Sequence, residues 1–289
     1  MTGLAPLGHP AGASRLPTGP AWLFCPADRP DRWHKALERA DVVIVDLEDA
    51  VAAENKDSAR RAIREAGAPL ERIVLRINAA GTRDHELDRA LLREIPYRTV
   101  MLPKAEDPAA IRALSDQLVV PLIESPRGIE RVGELVRPPN VIGAMWGADD
   151  LVAAMGGTGS RHVEGGFRDV ARYARSRTLI AAKAHGLLAL DAVHTDIVDV
   201  AGLQAECEDA AAVGFDATVA IHPSQVPVIR QAYRPSAEQV RWASALINAA
   251  ADNHGVRTFE GRMVDGPVLL QAQQILRRHS QSAPVAGTP

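Results

Sequence analysis

The sequence predicts an α/β protein, a (β/α)8 TIM barrel with a C-terminal helical extension. Three observations carry that reading. Short apolar runs alternate with helix-like segments over most of the chain. The runs lack polar alternation, which suits strands buried on both faces of a helix-covered parallel sheet. Acids and bases stand where the runs end and not where they begin, and a barrel keeps its chemistry at the C-terminal ends of its strands.

Ala21–Cys25 is the first strand, and Pro26-Ala-Asp-Arg-Pro30 breaks it. Asp31 is placed to cap a helix running through Ala40. Val42–Glu48 is the second strand, followed by a helix over Lys56–Ala66. Ile73–Ile77 and a helix over Asp84–Glu94 come next, then Thr99–Pro103 and a helix over Pro108–Asp116. Val119–Gly128 and Val141–Asp150 supply strands five and six, each an apolar run closed by an acid. Val193–Val198 reads as the seventh strand, Gly202–Val213 as a helix and Ala217–Ile221 as the eighth strand. The rival, an open doubly wound sheet, needs a dinucleotide fingerprint after an early strand. The Gly-rich stretch Gly156–Gly166 has neither that spacing nor the Lys-Ser/Thr of a phosphate loop. It reads as a mobile loop placed to act as a lid. Helices over Ser236–Ala251, capped by Ser236, and Pro267–Arg278 complete the chain. The expected organisation is a disordered tail over 1–19, a barrel over 20–235, a helical extension over 236–279 packed on the barrel mouth or a neighbouring subunit, and a disordered tail over 280–289.

Composition narrows the function. The 289 residues are 46% hydrophobic, 24% charged and only 4% aromatic, so an aliphatic core is available. A formal net charge of −3 gives no global attraction to nucleic acid or an anionic membrane. The sequence has no run of about 18 apolar residues to span a membrane. The first residues lack the apolar core of a signal peptide. Two cysteines, Cys25 and Cys207, form no CxxC pattern, which fits a reducing cytoplasm and neither a disulfide framework nor a zinc site.

The strand ends carry Asp28-Arg29, Asp46, Glu48 and Asp49, Arg76 and Asn78, Lys104, Glu124, Asp149-Asp150, and His222. Acids from two successive strands, Glu124 and the Asp149-Asp150 pair, suit Mg²⁺, which prefers oxygen ligands and keeps several waters. Such a site leaves room for a bidentate ligand such as a 2-oxo acid. Arg76 can fork onto an anionic oxygen. Glu48 and Asp49 can orient metal-bound waters, while Glu48 is equally suited to an ion pair with Arg76 or Lys104. Asp46, deeper in its strand, reads as a buried structural acid. Arg29, Arg32 and Lys35 are either charges for solubility or a phosphate-binding patch beside the mouth.

The stretches Trp22-Leu-Phe-Cys-Pro-Ala-Asp-Arg-Pro30, Val45-Asp-Leu-Glu-Asp-Ala-Val51, Leu75-Arg-Ile-Asn78, Met101-Leu-Pro-Lys104, Leu122-Ile-Glu-Ser-Pro-Arg-Gly128, Trp146-Gly-Ala-Asp-Asp-Leu151, Ile221-His-Pro-Ser-Gln225 and Met263-Val-Asp-Gly-Pro267 together resemble the HpcH/HpaI aldolase and citrate lyase β-subunit superfamily. Within it the chain is similar to the stand-alone CitE-like proteins of actinobacteria, from about residue 21 to 278. The resemblance implies a Mg²⁺-dependent barrel that makes or breaks a C–C bond beside a carbonyl. It implies metal ligation by Glu124 and Asp150, and substrate binding and charge stabilisation by Arg76 with Glu124 beside it. It also implies a catalytic Asp265 that reaches the site of a neighbouring subunit in a homo-oligomer, a trimer or hexamer. Arg29, Arg32 and Lys35 would then meet the phosphates of coenzyme A. Glu48 joins Arg76 and Asp265 as a catalytic candidate, with Asp49 and Lys104 supporting them. One departure is Cys-Pro-Ala-Asp-Arg after strand one, where relatives often have Pro-Gly-Asp-Arg or Pro-Gly-Ser-Arg; Arg29 is kept. The expected reaction is cleavage or formation of a 3-hydroxy-3-carboxyacyl-CoA, of malyl-, citramalyl- or citryl-CoA type, to acetyl-CoA and a 2-oxo acid. The alternatives are a thioesterase or free-acid aldolase at the same site, or a non-catalytic subunit of a larger lyase.

Overall fold

The computed structural model describes residues 18–66, 70–251, 257–259 and 261–282. Eight parallel strands close into a barrel in sequence order: β1 (Ala21–Pro26), β2 (Val42–Asp46), β3 (Ile73–Arg76), β4 (Thr99–Leu102), β5 (Leu118–Ile123), β6 (Gly143–Trp146), β7 (Leu188–Asp191) and β8 (Ala217–Ala220). Helices follow the strands: α1 (Pro30–Arg39), α2 (Lys56–Glu65), α3 (Arg83–Leu92), α4 (Pro108–Arg112), α5 (Pro126–Leu135), α6 (Ala148–Ala154), α7 (Asp169–Ala184), α8 (Val200–Val213) and α9 (Gln225–Tyr233). Val42, Ile44, Val74, Met101, Val120, Leu122, Met145, Leu190 and Val219 share one buried cluster with Trp22. The aliphatic runs of the sequence therefore become a packed barrel core.

Side-chain caps start several of these helices. Thr82 Oγ1 accepts from the His85 amide at 3.1 Å and Ser125 Oγ from the Gly128 amide at 3.1 Å. Asp107 Oδ1 accepts from the Ala109 amide at 2.9 Å. Each such cap satisfies an amide that the helix itself leaves unpaired. Asp31 does not act this way. The helix begins one residue earlier, with Pro30 in its first turn, and the Asp31 carboxylate turns to Arg29.

The seventh strand is a correction. It is Leu188–Asp191, paired with β6 through Gly143↔Leu188 and with β8 through Asp191↔Thr218. The expected strand Val193–Val198 is a loop in which Ile197 and Val198 are 42% and 86% exposed. Its β-branched residues mimic a strand, whereas the real one reads Leu-Ala-Leu-Asp. Its neighbour on β6 is Gly143, where a Cβ would lie 3.0 Å from Leu188. In the Gly156–Gly166 stretch Arg161 pairs with Glu206 and bridges to Phe167, while residues 162–166 are exposed. The acids Asp149 and Asp150 lie in the first turn of α6.

The chain divides into two compact units, one reaching Ile229 and one starting at Arg230. The second holds α10 (Ala237–Ala251), the hairpin of β9 (Arg257–Phe259) and β10 (Arg262–Val264), and α11 (Gly266–Ser282). Ser236 and Gln239 exchange reciprocal bonds of 2.8 and 3.1 Å, a capping box at the head of α10. Ala243, Leu246, Val264 and Ala272 form this unit's own core. The expected tails 1–19 and 280–289 lie mostly outside the described residues, although α11 continues to Ser282.

Candidate active site

Strand register assembles the C-terminal edge of the barrel. Asp46 and Arg76 are register partners at the ends of β2 and β3. Arg76 Nε donates to Asp46 Oδ1 at 2.7 Å and its Nη2 to the other carboxylate oxygen. The fork is thereby fixed, and Arg76 Nη1 turns to Glu48 Oε2 at 3.2 Å. Phe24 lies under the guanidinium, 4.5 Å from ring centre to Cζ. Burial opposes the Arg76 charge, but the Asp46 bonds and the nearby Glu48 outweigh it and hold the arginine protonated. Asp46 itself is fully buried and also accepts from the Glu48 amide at 2.8 Å and the Ala50 amide at 3.2 Å. The structural reading of Asp46 is therefore correct, and what it fixes is Arg76 and the turn carrying Glu48.

Glu48 is 6% exposed and pairs with both expected bases, Arg76 and Lys104. Its Oε2 is buried with no aligned hydrogen-bond donor. Burial raises its carboxyl, while Arg76 and Lys104 pull the other way. Asp49 is exposed and lies 3.3 Å from Lys104 Nζ.

Glu124 follows the last paired residues of β5 and β6, Ile123↔Trp146. It is 4% exposed, and its Oε1 accepts the Lys104 amide at 2.9 Å. Gly147 makes room for it: a Cβ there would sit 2.8 Å from Glu124 Oε2. Burial, and next the Asp150 charge, push the Glu124 carboxyl up to about 8. Asp149 bonds Ser160 and faces Arg161, so its neighbour Asp150 is the acid left to face Glu124. Among the described residues no three His, Cys, Asp or Glu side chains form a metal cage. A buried carboxylate beside a second one, with few donors, still fits a hard cation that brings its own waters. Cysteine chemistry has no place here, since burial pushes the Cys25 thiol up to about 11.

The remaining candidates are further out. Arg29, Arg32 and Lys35 are exposed at and along α1, with Arg29 paired to Asp31 at 3.3 Å. Asp265 stands in the second unit between β10 and α11. His222 is an exposed turn residue bonded to Ser224. Asn78 is structural: its amide groups and side chain bind Asp88, Leu47 and Lys56. Sequence reasoning missed Lys56, whose ammonium binds the Leu47 and Glu48 carbonyls at 2.7 and 3.0 Å and so braces the Glu48 turn. It also missed the half-buried Arg161–Glu206 pair with its buried His194; only the charges of those residues, scattered over 46 positions, hint at it.

Fold and site define a barrel enzyme built around paired acids and one fixed arginine. A family model, HpcH/HpaI aldolase/citrate lyase, matches residues 21–223, and the chain belongs to that family. A citrate lyase subunit beta-like protein of Mycobacterium tuberculosis is 53% identical over 264 residues, 91% of this chain and 97% of that protein. Human mitochondrial citramalyl-CoA lyase is 31% identical, covering 81% and 77%. A (3S)-malyl-CoA thioesterase of Cereibacter sphaeroides is also 31% identical, covering 89% and 93%. A crystal structure of CitE from M. tuberculosis in complex with magnesium, acetoacetate and coenzyme A matches with a TM-score of 0.88 at 53% identity, covering 91% of this chain and 98% of that one.

Proposed function

We propose that the protein is a Mg²⁺-dependent carbon–carbon lyase acting on a 3-hydroxy-3-carboxyacyl-CoA of malyl, citramalyl or citryl type. The observation that carries this reading is the buried Glu124, raised to about 8 beside Asp150, on the barrel edge that also holds Arg76 and Glu48. The solved relative containing magnesium and coenzyme A and the citramalyl-CoA lyase relative support it.

Glu124 and Asp150 would hold the ion. Bound there, Mg²⁺ supplies Lewis acidity and a template for the substrate's hydroxyl and carboxylate oxygens. The chain's own residues do the rest. Arg76, fixed by Asp46, holds the same end of the substrate and meets the charge that grows on the oxygen. Glu48 Oε2, which has no aligned donor beside its ion pair with Arg76, takes the hydroxyl proton. The O–H pair becomes the carbonyl bond of the 2-oxo acid. The broken C–C bond leaves its pair on the thioester enolate, and Asp265 protonates that carbon to give acetyl-CoA. Reversed, Asp265 is the base. We assign Asp265 to a neighbouring copy in a homo-oligomer, a trimer or hexamer. Asp49 orients water at the metal, and Lys104 supports Glu48. Arg29, Arg32 and Lys35 meet the CoA phosphates. Residues 20–235 form the catalytic part and 236–279 the extension that delivers Asp265. Two buried free thiols, and the lack among the described residues of any helix long and apolar enough to cross a membrane, support a cytoplasmic setting.

The thioesterase relative supports a second reading, hydrolysis at the same site. Incubating the purified protein and Mg²⁺ with a panel of 3-hydroxyacyl-CoA esters, with products identified by mass, separates the two. The lyase gives acetyl-CoA and a 2-oxo acid. Free CoA with an intact hydroxy acid would make the protein a thioesterase, and no turnover of any ester would reject both.

A further inference from the structure

Among the described residues Lys104 is the one non-glycine with a left-handed backbone, at φ 49°. That conformation brings the Cβ of an L-residue against its own backbone, and glycine escapes the cost. The turn needs it: with the chain bent this way, the Lys104 amide points at Glu124 Oε1, 2.9 Å away, while the next amide, of Ala105, continues to Leu122 O at 3.1 Å. Glycine would serve that amide equally well and without strain. What lysine adds is its ammonium, which bonds Glu48 and lies 3.3 Å from Asp49. Strain tolerated where glycine would do is a mark of a side chain in use.

We propose that Lys104 is a positioning residue that does two separable jobs: its left-handed amide aims Glu124, and its ammonium, kept at the expense of backbone strain, sets Glu48 and limits how strongly the acid cluster attracts a cation. The placement of Glu48 bears on the lyase reading above; the strain and the cation balance do not. The ammonium bonds Glu48 and lies 3.3 Å from Asp49, so it sets a positive charge among the acids of the cluster. Removing it leaves a more negative site.

Lys104→Gly and Lys104→Ala separate the two jobs. Both lack the ammonium, and only alanine keeps the backbone strain. Without metal, the Gly variant is expected to melt about 2–4 °C above the Ala variant. Both are expected to lose about 10–100-fold in kcat, equally, with KM for the CoA ester little changed. Both are expected to bind Mg²⁺ about tenfold tighter than wild type by calorimetry. A residue that merely held the fold would show activity following stability, with glycine restoring it. Wild-type kcat in Lys104→Gly, or unchanged Mg²⁺ affinity in both variants, would overturn the proposal. Should the wild type turn over no CoA ester while the melting and Mg²⁺ patterns appear, the lyase reading fails and the role of Lys104 at the cation site stands.

Discussion

Asp88, on α3, and Glu124, at the end of β5, are both cut off from solvent, at 0% and 4% exposure. Asp88 accepts from Arg60 Nε at 2.7 Å and from the Asn78 amide and side chain at 2.8 and 2.7 Å. Arg60 extends the group to Asp84 and Asp57. Glu124 receives a single backbone amide, and its strongest charged neighbour is the like charge of Asp150. The first acid is neutralised by the chain and locks α2 to α3. The second is left short of positive charge, and its carboxyl rises to about 8. Burial alone therefore does not mark a functional acid; burial without compensation does.

The contrast can be broken most severely at the site. Glu124→Gln or Asp150→Asn is expected to lower kcat/KM by at least about a thousandfold if, as proposed, the two acids hold the cation. Steady-state kinetics over a range of Mg²⁺ checks it; full activity resistant to a chelator would contradict the assignment. Asp88→Ala is expected to do the opposite. Arg60 keeps Asp84 and Asp57, but the buried Asn78 amide loses its acceptor, which should cost about 1–3 kcal/mol of stability, read by denaturant unfolding, while kcat per folded molecule is kept.

The same pair differs in pH response. An acid whose carboxyl is raised on folding favours the folded state while protonated, so its contribution is present near pH 4.5 and is lost as the pH climbs to about 8. Metal-free wild type is expected to lose melting temperature over that interval, and Glu124→Gln to lose less of it. The two then cross, with the Gln variant more stable at pH 8. Parallel melting curves for the two proteins would show that Glu124 is compensated after all. The smallest effect is expected outside the acid cluster. Lys35→Ala, on the exposed face of α1, should raise KM for the CoA ester several-fold and leave kcat alone.

Much of this was legible beforehand because it depends on local pattern. Val42–Val45 is apolar without alternation, and the strand through Asp46 is buried throughout. Glu124 and the Asp149-Asp150 pair end their runs, and parallel register carries such ends to one edge. The seventh strand was not legible, because its Leu-Ala-Leu-Asp carries no β-branched residue, while the nearby loop Val193–Val198 does. Asp46 could be read as structural from its depth in its strand, but the role of Asp88 could not: it finds Arg60 28 positions away, and only the assembled barrel shows which acids are left over. The strain at Lys104 is likewise invisible in a sequence, since lysine is an ordinary residue in most turns.

Calorimetry of Mg²⁺ binding at pH 7, repeated in buffers of different ionisation enthalpy, tests the uncompensated-acid account most directly. With the Glu124 carboxyl near 8, most of the metal-free protein carries a proton there, and binding is expected to release close to one proton per ion. The release should fade above pH 9 and vanish in Glu124→Gln along with the binding. Mg²⁺ uptake at pH 7 without proton release, or unchanged uptake by the Gln variant, would contradict it.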